Sequence, residues 1–134
     1  MKLIRLIIVV GLLVVSSGCS GADGLSKSVD FALKRAGDNA AELRKAIDKA
    51  PADQKEGVRF LVAHMPKRDL TSLSSDFLLN NVRGAYSAWN KTPWKARISK
   101  EMFLNDVLPY AVINERRDDW REDLTMHGLT VIHR

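Results

Sequence analysis

The chain has 134 residues, of which 46% are hydrophobic and 28% are charged, and its formal net charge is +5 at pH 7. This length suits one domain, and this balance is typical of a folded protein rather than a disordered one. Two of the basic residues, Lys2 and Arg5, lie at the start of the chain. The remainder has 19 Lys and Arg and 16 Asp and Glu, and its net charge of +3 is too small to indicate a nucleic-acid partner.

Residues 1–18 (MKLIRLIIVVGLLVVSSG) have the organisation of a secretory signal peptide. Lys2 and Arg5 precede an almost unbroken apolar run over residues 6–15, and small residues follow it. A membrane-spanning helix needs roughly 20 apolar residues, so this run has about half the required length. We therefore predict a lipoprotein signal peptide over residues 1–18.

Cys19 follows the small residues, and the arrangement resembles the lipobox of bacterial lipoproteins. In that family the thiol carries diacylglycerol and the signal is cut off before the cysteine. The resemblance implies lipid attachment at Cys19 and a cell-envelope protein on the periplasmic or surface side of a membrane. Ser16 stands where the lipobox usually has leucine, and the alternative is ordinary secretion with a spare thiol. Because Cys19 is the only cysteine, the chain can form neither an internal disulfide nor a thiolate metal cluster.

Residues 19–26 are small and polar and predict a short tether, after which residues 27–124 are interpreted as one helical domain. In the first predicted helix, apolar residues recur at helical spacing from Val29 to Ala36, and Gly37 favours an end there. Two capping patterns and two prolines then bound the second and third helices. These are the pairs Asn39/Glu42 and Asp53/Glu56, and the prolines Pro51 and Pro66.

A loop over residues 67–72 is predicted to lead into the longest helix, residues 73–90. Thr92 and Pro93 suit another helix start, and a short helix is expected over residues 99–108. The sequence thus predicts an all-α fold, a small orthogonal helical bundle of about five to six short helices. Weak alternation over residues 129–133 allows a short C-terminal strand. The predicted core is Leu33, Leu43, Ile47, Val58, Leu61, Val62, Leu78, Val82, Trp89, Phe103 and Leu108.

Few residues offer catalytic or metal chemistry. His64 lies beside an apolar helix face, and His127 and His133 are six residues apart, so no histidine has ligand spacing and we expect no metal and no cofactor. No G-x-S-x-G elbow or Gly-rich phosphate loop occurs.

Trp89 and Trp94 are candidates for a surface that binds sugar or peptidoglycan, since cations flank them. The competing interpretation places Trp89 on the apolar face of its helix, packed into the core. The neighbouring basic residues could contact anionic lipid headgroups or form a solvated face. They are Lys91, Lys95, Arg97 and Lys100.

The stretch VLPYAVINERRDDWRED (residues 107–123) resembles a phrase of bacterial transglutaminase-like proteins, in which a helical N-terminal region precedes a papain-like cysteine domain. The segments AGDNAAELRKAI, EGVRFLVAHMPKRDL and NVRGAYSAW are similar to the helical lead-in of the same family. In that family a Cys, a His and an Asp perform the chemistry and lie beyond this region, so the resemblance implies no catalytic residue here. The matching residues are Phe103, Val107, Leu108, Pro109, Tyr110, Asn114, Glu115, Trp120 and Arg121.

The same residues have a physical interpretation as a connector. Pro109 should turn the chain by disfavouring helical geometry at Leu108, and Tyr110 should bury its ring while its hydroxyl bonds a polar partner. Asn114 and Glu115 suit bonds that hold the turn, and Trp120 should pack inward. Arg121 follows in the same predicted last helix.

We therefore expect a lipid-anchored helical N-terminal module of a transglutaminase-like protein, not catalytic alone, with residues 125–134 as the start of a missing domain. Its expected partners are the membrane and a missing or separately encoded catalytic domain. One alternative is a complete small exported lipoprotein that binds a protein partner or a cell-wall glycan. Another is an enzyme whose partner supplies the triad.

Overall fold

The computed structural model of the chain describes residues 20–111 and Arg117. Over these residues the fold is all-α and contains no strand, which confirms the predicted fold class. The expectations for residues 1–18, for Cys19 and for residues 125–134 lie outside the described residues. The helices are α1 Ser20–Ala36, α2 Ala40–Lys49, α3 Lys55–His64, α4 Lys67–Leu70, α5 Ser75–Lys91 and α6 Lys100–Met102.

Shorter helical turns complete the chain. Two 3-10 turns, Gly37–Asn39 and Lys95–Arg97, follow α1 and α5, and a π-helical turn, Phe103–Val107, extends α6. None of the helices in the described part of the chain combines the length and the apolar character needed to cross a bilayer.

The segment expected to be a tether is helical in the structure. α1 begins at Ser20, so residues 20–26 form its first turns. Leu25 packs against the core one turn before the buried Val29, and such packing stabilises a helix whose small residues have low helix propensity. α1 ends where the sequence predicts, because Gly37 adopts a φ of 59°, which glycine tolerates without steric cost.

Neither predicted capping box forms. Asn39 has helical backbone angles, since a 3-10 turn leads directly into α2, and its side chain makes no cap hydrogen bond. Capping by a side chain normally requires an extended residue at that position. Asp53 does not cap α3 either: Gln54 precedes this helix, and the Pro51 carbonyl accepts from the backbone amides of Gln54 and Lys55.

The core forms where the apolar faces of α1, α2, α3 and α5 meet the π-helical turn. Of the predicted core residues, all are buried except Ile47 and Trp89, which are half-buried and pack against the core. The large apolar side chains among the described residues that are completely enclosed are Leu43, Val58, Val62, Leu70, Leu78, Val82, Phe103 and Leu108.

The segments on either side of α5 differ from the sequence prediction. Residues 67–72, expected as a loop, contain α4, because Leu70 is driven into the core. α5 begins one residue after Ser74, whose hydroxyl oxygen accepts from the Phe77 amide at 3.2 Å. Thr92 ends α5 instead of starting a helix, since its amide donates to the Ala88 and Trp89 carbonyls.

Candidate functional site

A buried carboxylate, Asp69, lies in the one-turn helix α4 beneath the end of the described chain. It is 1% exposed. α4 holds this residue rigidly, because its amide donates to the Pro66 carbonyl and its own carbonyl accepts from the Ser72 and Leu73 amides. A buried charge is costly unless it is paired and hydrogen-bonded, so the partners of Asp69 decide what it does.

Tyr110 is the first partner. Its ring is buried and lies edge-on to Phe77, with the ring centroids 5.6 Å apart. Its hydroxyl donates to Asp69 Oδ2 at 2.7 Å. Burial, followed by the hydrogen bond to Asp69 and the charge of that carboxylate, raises the pKa of Tyr110 well above its ordinary value. The polar partner that the sequence predicts for Tyr110 is therefore Asp69.

Arg117 is the second partner. Its Nε lies 3.1 Å from both carboxylate oxygens of Asp69, and its Nη2 donates to Oδ2 at 2.9 Å. Only 15% of the Arg117 side chain is exposed. A bidentate guanidinium–carboxylate pair fixes geometry as well as charge. We call the group of Asp69, Tyr110 and Arg117 the Asp69 clamp.

The chain just before Tyr110 is held by a separate contact. The buried Asn81 side chain of α5 donates to the Leu108 carbonyl at 2.9 Å. Leu108 retains helical backbone angles (φ −72°, ψ −35°), although Pro109 was expected to disfavour them. The full burial of Leu108 and its bond to Asn81 outweigh that modest preference.

The side chains predicted as a capping box instead brace the segment that carries Asp69. The Asn39 amide donates to the Leu70 and Leu73 carbonyls, both at 2.9 Å, and a Glu42 carboxylate oxygen accepts from the Ser75 amide at 2.8 Å. The Ser75 backbone contact, with smaller contributions from Lys45, lowers the pKa of Glu42. The start of α2 thus holds both ends of the connection between α4 and α5.

The Asp69 clamp suits holding rather than catalysis. Both carboxylate oxygens are engaged by groups of the chain itself, and the carboxylate is enclosed. A general base must reach a substrate proton, which this geometry does not permit. The physical result is that the Tyr110 and Arg117 side chains are both held against the bundle at Asp69.

Among the motif residues, the structure brings Tyr110 to the clamp and leaves Pro109 half-buried beside it. Asn114, Glu115, Trp120 and Arg121 lie outside the described residues. The sequence interpretation missed Asp69, Asn81 and Arg117. Their bonds join positions 27 to 48 residues apart, and no local pattern signals such pairs.

Trp89 and Trp94 have different environments. The Trp89 ring stacks on Phe103, with centroids 4.3 Å apart and an interplanar angle of 17°, and lies edge-on to Tyr86. Trp94 is 60% exposed. The two indoles therefore differ in role: Trp89 extends the core, and Trp94 is available at the surface.

His64 has an ordinary structural role at the end of α3. Its Nδ1 lies 2.8 Å from the Phe60 carbonyl, and its ring packs against the Phe60 ring. Within the described residues, no group of histidine, cysteine and acidic side chains has a metal-binding arrangement. His127 and His133 lie outside those residues.

Comparison with family models, with curated proteins and with solved structures found no match to this chain. The assignment to transglutaminase-like proteins therefore stays a prediction from the motif residues.

Proposed function

We propose that this chain is a non-catalytic, lipid-anchored helical module of a transglutaminase-like protein, and that its bundle orients the segment following α6. The observation that carries the proposal is the Asp69 clamp. An enclosed carboxylate binds one side chain from each end of the stretch between Tyr110 and Arg117. A connector that must hold a neighbouring domain in one orientation needs such a fixed point.

The position of the clamp within the motif adds support. Tyr110 belongs to the phrase shared with the family, and Arg117 lies between its Asn-Glu and Trp-Arg pairs. A motif that served only the bundle's own core would not require a charged pair. Burying such a pair contributes little net stability but fixes a unique geometry, which is the property a connector uses.

We expect no catalysis by this chain alone because it lacks a cysteine that could act as the nucleophile. Acyl transfer by this family needs a thiolate, and the only cysteine is Cys19, which we propose carries lipid. The membrane anchor and the catalytic triad would then belong to different parts of the assembly. A following or separately encoded domain would supply the triad.

Two assays test this proposal. The purified chain, incubated with casein and a fluorescent primary amine, should incorporate no label above a no-protein blank. Incorporation by the chain free of other proteins would overturn the assignment. Labelling in cells with a palmitate analogue should be lost in Cys19→Ala, and labelling that persists in that variant would reject the anchor.

The orienting role is tested by proteolysis. Trypsin should cut slowly after Arg117 in the wild type, because that side chain is held by Asp69. Asp69→Asn, which keeps the shape and removes the charge, should speed this cleavage, whereas Asp76→Asn on the exposed start of α5 should not. Equal rates in all three proteins would show that the clamp does not fix the segment.

One observation favours the second candidate, a complete small lipoprotein that binds a partner or a cell-wall glycan. Trp94 is exposed and could stack on a sugar ring, although Trp89 is engaged with Phe103 and does not extend the platform. Co-sedimentation with purified peptidoglycan that is lost in Trp94→Ala, with an unchanged circular dichroism spectrum, would support this candidate.

A further inference from the structure

The segment from residue 77 to residue 100 has an unusual charge pattern. It contains no acidic residue, and its cations become dense after α5 ends. Two of the three large hydrophobic side chains exposed among the described residues, Trp94 and Met102, lie in or just after this segment. Its basic residues are Arg83, Lys91, Lys95, Arg97 and Lys100.

We call residues 91–98 the basic loop. Its backbone is ordered by short-range bonds: the Lys95 amide donates to Thr92, the Arg97 amide to Trp94 and the Ile98 amide to Lys95. This tight turn projects Lys91, Trp94 and Arg97 into solvent. The loop therefore presents an indole and cations together without an ordering step on binding.

Contacts to the bundle fix both sides of the basic loop. The Lys95 ammonium lies over the Trp89 ring, 5.0 Å from its centroid, and donates to Asn90 Oδ1 at 2.6 Å. After the loop, Lys100 pairs with Glu56 at the start of α3. In contrast, no acidic side chain pairs with Lys91 or Arg97 among residues 20–111 and Arg117. These two charges are available for an external anion.

We propose that the basic loop is a binding surface for an anionic phospholipid bilayer. Tryptophan prefers the headgroup level of a membrane, where its ring is partly buried and its N–H stays hydrated. Lysine and arginine are attracted to the negative surface potential of the same region. A neutral glycan would use the indole but gain little from the cations, so the combined chemistry favours a lipid surface.

The inference goes beyond the proposed function and does not require lipid at Cys19. A second contact would, however, hold an anchored protein in one orientation on its membrane, since a single attachment point allows rotation. Stable attachment commonly combines a lipid chain with a basic patch.

The test uses the full chain carrying Cys19→Ser, so that acylation does not contribute. Binding is measured by co-sedimentation with vesicles of phosphatidylcholine alone and with 30 mol% phosphatidylglycerol. Insertion of the apolar residues 6–15 and attraction of Lys2 and Arg5 to anionic lipid are common to all variants, so the comparison between variants isolates the basic loop. We expect tighter binding to the anionic vesicles, and 0.5 M salt should remove the difference by screening.

The decisive comparison is between two charge-matched double variants. Lys91→Gln/Arg97→Gln should weaken binding to anionic vesicles by roughly thirtyfold, the effect expected for two cations near such a surface. Lys34→Gln/Lys49→Gln, at exposed positions of α1 and α2, should retain most of the binding. Equal losses in the two variants would overturn the proposal, because net charge alone would then explain the binding.

Depth of insertion gives an independent readout. Brominated acyl chains should quench tryptophan fluorescence in the wild type, and most of that quenching should disappear in Trp94→Phe. Quenching that is unchanged in Trp94→Phe would place another part of the chain at the membrane. Co-sedimentation with peptidoglycan and no preference for anionic vesicles would instead assign the loop to glycan binding.

Discussion

Asp69 is a charged side chain enclosed by the bundle, and its environment determines what it can do. An isolated carboxylate in such a place would carry a large desolvation cost. Arg117 supplies the opposite charge in a bidentate arrangement, and the Tyr110 hydroxyl supplies a further donor. These bonds offset the desolvation cost of the buried carboxylate, and they hold the two partner side chains in one geometry.

Tyr110→Phe should remove a single hydrogen bond while keeping the ring. We expect it to lower the free energy of unfolding by about 1.5–3 kcal/mol, the usual range for a hydrogen bond to a charged group. Urea denaturation followed by circular dichroism measures this. The edge-on packing of the ring on Phe77 should survive in Tyr110→Phe. This variant should therefore lower the free energy of unfolding by less than Tyr110→Ala does, and a larger loss would contradict the interpretation.

Tyr110 also predicts a dependence of stability on alkaline pH. Its pKa is raised in the folded state, so the unfolded chain loses this proton at a lower pH than the native one. Stability from Tyr110 is therefore complete below pH about 10 and declines as the pH rises above that value. The melting temperature should fall more between pH 9 and 11 in the wild type than in Tyr110→Phe. Identical declines would show that Tyr110 does not contribute.

At this scale the sequence predicts part of the site. An amphipathic tyrosine beside a proline indicates a buried ring with a polar partner, and Tyr110 has both. The identity of the partner was not predictable, because Asp69 follows Lys67 and Arg68 in what looks like a surface loop. Only the folded chain brings the two within bonding distance.

Among the elements, α3 and α5 approach closely at Gly57. A Cβ at this position would lie 2.9 Å from Tyr86 Cε2 and 3.4 Å from a Leu108 methyl carbon. The Tyr86 ring cannot move easily, since it is buried edge-on against Phe103 with centroids 4.7 Å apart. The absence of a side chain at Gly57 thus permits the aromatic cluster to pack.

Gly57→Ala should destabilise the fold by about 1–3 kcal/mol through overpacking, even though alanine favours a helix. Gly24→Ala is the matched control, because nothing lies within 4 Å of its Cβ position in α1. There the higher helix propensity of alanine should stabilise by up to ~1 kcal/mol. If chemical denaturation finds Gly57→Ala as stable as Gly24→Ala, the close approach of α3 and α5 is wrong.

The contact between α2 and the start of α5 predicts a dependence on acidic pH. The hydrogen bond from the Ser75 amide lowers the pKa of Glu42, so its contribution is present above the ordinary value of 4.5. It is lost as the pH falls through the lower folded value. Glu42→Gln should therefore melt below the wild type at pH 7, with the gap closing towards pH 3. A gap independent of pH would exclude this contact.

The apolar stripes identified most helices correctly because packing decides helix positions, and packing follows the 3.6-residue period. The capping predictions were wrong for a different reason. Asn39 and Glu42 have the spacing of a capping box, but their side chains bond the segment from Leu70 to Ser75, more than 30 residues away. Local spacing indicates what a side chain can do and does not identify which of several donors it meets.

At the scale of the whole molecule, the described residues form a helical core whose buried Asp69 binds the Tyr110 and Arg117 side chains. The all-α class could be predicted because the four longest helices, α1, α2, α3 and α5, have periodic apolar faces. The clamp could not be predicted, because it depends on contacts 41 and 48 residues apart along the chain. The proposed role as an orienting module depends on this second level of organisation.

A double-mutant cycle between Asp69 and Arg117 tests that role most directly. The free energy of unfolding is measured for the wild type, Asp69→Asn, Arg117→Gln and the double variant. A control cycle pairs Asp76→Asn with Arg117→Gln. We predict a coupling energy of at least about 1 kcal/mol for Asp69 with Arg117, and additive effects for the control pair. Additivity within about 0.5 kcal/mol for Asp69 with Arg117 would contradict the clamp and the orienting function inferred from it.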